Sequence, residues 1–105
     1  MNILQFFHAK KELPIFNIGD KVILKRGEEF AAVGKIYKKY YPNCYPGDDK
    51  WNTDVWLLMY QNLGNDIHIV TKITEGTPAA GGWFVYIDGK NDSGWHGNIF
   101  KLAHQ

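Results

Sequence analysis

Apolar positions along this chain recur in two rhythms. Over residues 2–12 the spacing is helical. Ile3, Phe6 and Phe7 share a face with Leu4 beside them, Asn2 is a usable N-cap, and Pro14 disfavours helical geometry at Leu13. Beyond Pro14 the pattern reads as strands. Val22 and Leu24 share a face in a first strand over residues 20–25, and a second follows over residues 32–40. In a third, over residues 55–61, Val55, Leu57 and Met59 face one way and Trp56, Leu58 and Tyr60 the other, so the strand is expected to be covered on both sides. A fourth, over residues 67–74, sends Ile67, Ile69 and Ile73 inward and His68, Val70 and Lys72 outward. Residues 83–87 form a fifth, ended by a turn that begins at Asp88-Gly89, and GWHGNIFKLA reads as a tight turn and a last short strand. Between the second and third strands, YPNCYPGDDKWNT is dense in Pro, Asn, Asp and Gly, which marks a long loop over residues 41–53.

Five to six short strands separated by turns predict an all-β fold, and closure into a barrel removes the exposed edges that a small β protein must manage. Its opening stretch, GDKVILKRGEEFAAVGKI, carries Gly27, Ala31, Gly34 and Ile36 behind the Val22/Leu24 alternation. That arrangement resembles the KOW motif, a strand-turn-strand that begins small SH3-like barrels in ribosomal proteins and transcription elongation factors, with Ala31 where the family usually has Gly. GWHGNIFKLA is similar to the segment that closes many such barrels. The resemblance covers about 30 residues at the two ends. It implies one SH3-like barrel over residues 1–105, with a helical extension at residues 1–13 and an inserted loop at residues 41–53. In the same reading Gly27 and Gly34 let the chain reverse between strands.

Length and composition narrow the function. A chain of 105 residues builds one modest core, and 45% hydrophobic with 22% charged residues is globular composition. Aromatics reach 15%, more than so small a core needs, which points to rings on a binding face. The net charge of +1 lacks the strong basic excess of a dedicated nucleic-acid-binding domain. With one cysteine, Cys44, there is no internal disulfide. No run of apolar residues has the length of a membrane span, and the N-terminal stretch lacks the basic start and apolar run of a signal peptide, so a soluble cytoplasmic protein is expected.

Candidate chemistry is sparse. Cys44 lies in a loop without a nearby base and orienting group, and the four histidines lack paired metal-ligand spacing. Lys90 occupies a ligand place in the calcium-loop-like stretch DGKNDSG. Neither a catalytic site nor a cofactor or metal is expected. The leading expectation is a non-enzymatic module that binds another protein, an accessory or inhibitory protein of the kind phages and mobile elements carry. Its candidate surface joins Tyr41, Tyr45, Asp48, Asp49 and Trp51 of the long loop to Trp95 of the C-terminal turn. The alternative is a KOW-like nucleic-acid-binding protein in which Lys35, Tyr37, Lys39 and Tyr41 share one strand face, ammonium groups meeting phosphates while rings stack on bases.

Overall fold

The computed structural model describes residues 13–104. Strand β1 (Lys21–Leu24) leads into helix α1 (Gly27–Tyr40). A helical turn at Asp48–Lys50 then runs through a π-helical segment, Trp51–Val55, into α2 (Trp56–Leu63). Strands β2 (His68–Glu75), β3 (Trp83–Ile87), β4 (Trp95–His96) and β5 (Phe100–Leu102) follow, with single 3-10 turns at Pro78–Ala80 and Gly97–Ile99. The strands form one antiparallel sheet in the order β4-β3-β2-β1-β5.

This architecture corrects the all-β barrel. β4 and β5 lie at opposite edges of the sheet, which stays open, and two of the expected strands are helices, so the fold is α+β. Residues 32–40 belong to α1, where Phe30, Val33, Gly34 and Tyr37 recur at helical spacing and line the inner face. Glu28 and Glu29 in its first turn and Lys38 and Lys39 in its last complement the helix dipole. Gly27, Ala31, Gly34 and Ile36 therefore all lie within this helix. Residues 55–61 are likewise helical. Apolar residues on both sides of that run suit a helix packed along one flank as well as a covered strand. Of residues 41–53, the part up to Gly47 is irregular and the helical path begins at Asp48. The helix expected over residues 2–12 lies outside the described residues. Among the described residues no helix is long and apolar enough to cross a membrane.

One layer of helices covers one face of the sheet. The core joins Val22, Leu24, Val70, Val85, Ile87 and Phe100 of the sheet to Phe30, Val33, Trp51 and Leu63 of the helical layer. Two indoles tie the helical path to the chain around the start of α1. Trp51 Nε1 donates to the Phe30 carbonyl at 3.1 Å, and Trp56 Nε1 donates to the Lys25 carbonyl at 3.0 Å.

β2 faces opposite to the sequence expectation over its first half. His68 and Val70 are buried, whereas Ile67 and Ile69 are 59% and 45% exposed. A bulge between Val70 and Lys72 then resets the alternation, so that Ile73 faces the core as expected. The inversion has a polar cause. His68 reaches the Asp88 carboxylate through Nδ1 at 2.6 Å and the Leu63 carbonyl through Nε2 at 2.8 Å, so the buried ring is satisfied at both nitrogens. The Ile69 amide donates to the other Asp88 oxygen at 3.0 Å.

Burial pushes the Asp88 carboxyl up, but the hydrogen bonds from His68 and Ile69 outweigh it and hold the group below its usual range. A depressed folded-state value means that this stabilisation is present above the unfolded-state value of about 4 and is lost as pH falls through the folded one. Asp88→Asn is therefore expected to destabilise the protein at pH 7 by about 1–2 kcal/mol, a discounted figure because the carboxylate is 40% exposed. Urea unfolding of both proteins at neutral pH and well below pH ~4 tests this. The gap should shrink in acid; a gap of constant size would show that the carboxylate charge is not its source.

Candidate functional site

The site is built from the outer end of the helical layer and the last turn of the chain. α1 ends at Tyr40, where Tyr41 caps it by donating its amide to the Tyr37 carbonyl at 2.8 Å, and Pro42 follows. The chain returns at Asp48 to start the second helical path, with Asp48 and Asp49 in its first turn, where carboxylates suit the positive end of the peptide dipoles. That path places Trp51, Val55 and Met59 on one flank. Opposite stand Gly94, Trp95 and His96, which include edge strand β4, and Ile99. Between the two walls is a cleft of about 500 Å³, closed inward by Phe30 and Tyr37 and bordered by Cys44 and Pro46.

Aromatic rings organise the helical wall. Trp51, buried at 7% exposure, lies 5.4 Å from the Phe30 ring, 5.2 Å from Tyr37 and 5.9 Å from Tyr45, centre to centre. Tyr41 continues the series 5.2 Å from Tyr37. The Tyr45 hydroxyl donates to Asp48 at 2.5 Å, while Lys38 Nζ sits 5.6 Å from its ring centre. Burial, then that hydrogen bond and the Asp48 charge, push the Tyr45 phenol up to about 12, so it remains a donor at any physiological pH. Burial pushes the His96 imidazole down, which favours its neutral form. The Cys44 thiol is exposed at the rim. An apolar cleft with few polar groups is suited to an aliphatic or aromatic side chain.

The structure thus brings Trp51 and Trp95 into one cleft, with Tyr45 stacked on Trp51 and tethered to Asp48. Asp49 is exposed, and its backbone carbonyl accepts from the Thr53 hydroxyl at 2.7 Å. The set Lys35, Tyr37, Lys39 and Tyr41 is dispersed by the helix. Lys35 and Lys39, four apart, are exposed, whereas Tyr37 turns inward against Trp51 and Tyr41 sits at the cap. Val55, Met59, Pro46 and Ile99 are lining residues that the strand reading missed. The signal for two of them was present: Trp51, Val55 and Met59 follow each other at intervals of four.

A second cleft of about 430 Å³ lies beside Arg26 and Trp56. There the Arg26 guanidinium is already engaged, bonded to the Asn65 side chain and lying 5.5 Å from the Trp56 ring centre. Comparison of the chain with protein-family models, with curated proteins and with solved structures finds no match.

Proposed function

We propose that this protein is a non-enzymatic binding module that takes an extended segment of another protein, seating one of its large apolar side chains between Trp51 and Trp95. The supporting observation is that the aromatic cleft is walled by the edge strand β4. An extended segment laid along a sheet edge directs alternate side chains to one side, so backbone pairing and side-chain insertion act together. An accessory or inhibitory role fits such a module, because occupation of the cleft calls for no chemistry beyond desolvation and packing.

Cys44 offers a direct test, being the sole cysteine and standing at the rim. Peptides selected from a displayed random library against the unlabelled protein are expected to carry an aromatic or large aliphatic residue. Alkylation of Cys44 with a bulky maleimide should weaken their binding by about tenfold or more, the scale of one buried anchor, with an unchanged circular dichroism spectrum. Selected peptides that bind the alkylated protein equally well would place the binding surface elsewhere.

A further inference from the structure

The sheet has a second face, turned away from the helical layer. Directly opposed residues on neighbouring strands project to the same side. The register therefore places Lys72 with Tyr86, Thr74 with Phe84, and Phe84 with His96 on that face. Lys21 with Ile69 and Ile23 with Lys101 extend it across β1 and β5. The contacts agree with the register. Lys72 Nζ stands 5.0 Å from the Tyr86 ring centre, the Thr74 and Tyr86 hydroxyls are 3.3 Å apart, and the Phe84 and His96 rings are 5.7 Å apart.

Two properties set this face apart. Among the described residues, Phe84, Tyr86 and Ile69 belong neither to the core nor to the apolar side chains packed against it, although all are large; Ile69 is exposed, and Phe84, Tyr86 and His96 are half-buried. In addition, the paired positions on this face hold three lysines and no carboxylate, in a chain whose 12 basic and 11 acidic residues nearly cancel. Lys101 is neutralised from outside the face by Glu29 at 2.7 Å; Lys21 and Lys72 are exposed. The near-zero net charge thus hides a local segregation of sign. Gly94 supports the ring row, since a Cβ there would come within 2.8 Å of the Tyr86 ring.

We propose that this face binds single-stranded nucleic acid, with bases stacking on Tyr86, Phe84 and His96 and phosphates meeting Lys72 and Lys21. Charge complementarity selects the partner: a polyanion with flat apolar faces matches a lysine-flanked row of rings, and a peptide supplies no such repeat. Stacking of this kind is tolerant of sequence because every base has a π-face. A duplex keeps its bases stacked internally and can offer only phosphates. The ring row lies across the sheet from the Trp95 side chain, because neighbouring residues of a strand project to opposite sides, and Gly94 and His96 border both the row and the Trp51–Trp95 cleft.

Fluorescence anisotropy with labelled oligouridine, oligothymidine and a duplex of matching length tests the proposal at low salt and over a salt series. Single strands should bind more tightly than the duplex, and whichever of the two is bound more tightly assigns RNA or DNA as the source. Tyr86→Ala should weaken single-strand binding by about tenfold. Lys21→Glu combined with Lys72→Glu, at two exposed positions and with the fold checked by circular dichroism, should weaken it at least as much and lower the slope of log affinity against log salt by roughly 1.4, two single-strand contacts. Wild-type protein that ignores single strands, binds the duplex equally well, or is indifferent to the lysine pair would overturn the proposal.

Discussion

Gly34→Ala is expected to destabilise the fold by about 1–3 kcal/mol, against the usual direction of that change. In an exposed helix interior, glycine to alanine stabilises by about 1 kcal/mol, because glycine loses more backbone freedom on folding. Gly34 is buried in mid-helix, and its own conformation is ordinary; what excludes a side chain is Trp51. A Cβ at Gly34 would meet three atoms of that indole at 2.5, 2.6 and 2.7 Å. The indole is buried and held by its hydrogen bond to the Phe30 carbonyl, so it has little room to retreat. Urea unfolding measures the effect directly, and a variant more stable than the parent would mean that the ring yields.

The largest single loss is expected at Trp51. Trp51→Ala removes the ring shared by Phe30, Tyr37 and Tyr45 and leaves the helical layer hollow, at about 3–5 kcal/mol for a buried tryptophan. Contact between the two positions makes the pair non-additive. In a Trp51→Ala background, Gly34→Ala should become neutral or stabilising, since the added methyl then enters space that the indole has left. Additive effects in the double variant would separate the two residues energetically and sink this account of Gly34. The sequence places Trp51 in a loop, where its removal should abolish partner binding and spare the fold. Burial reverses that expectation, so Trp51→Ala reports on folding, while labelling at Cys44 reports on the cleft.

Strands bounded by turn chemistry were legible. β1 after Gly19-Asp20, β3 before Asp88-Gly89, and β2 all stand within a residue or two of their sequence positions. Helix α1 was obscured by glycine. Gly27 and Gly34 punctuate α1 as they would a strand-turn-strand, and Gly34 serves a contact with a residue 17 positions onward, which no local pattern can display. The charges of α1 did carry a helical signal, acids first and lysines last. The facing of β2 was obscured because three isoleucines outweigh one histidine in any hydropathy pattern, whereas the structure hides His68 behind Asp88, a partner 20 positions away. The aromatic loop and the Trp95 turn could be chosen from composition. Their meeting in one cleft depends on β4 folding back beside β3, a long-range fact. The outer face was invisible to the sequence because its residues are scattered over all five strands and acquire a common side only through register.

The sheet order carries a consequence for how the chain comes together. Val22, fully buried, pairs with His68 on one side and with Leu102 on the other. The interior position of β1 is thus completed by the last strand of the described chain, three residues long and distant in sequence. Contacts of such wide sequence separation form late and slow the overall rate. During synthesis β1 emerges early and waits with one flank open until Phe100–Leu102 is free to close it. β2 can pair with β1 and β3 before β5 arrives, so the docking of Phe100–Leu102 is the step that covers the remaining free flank of β1.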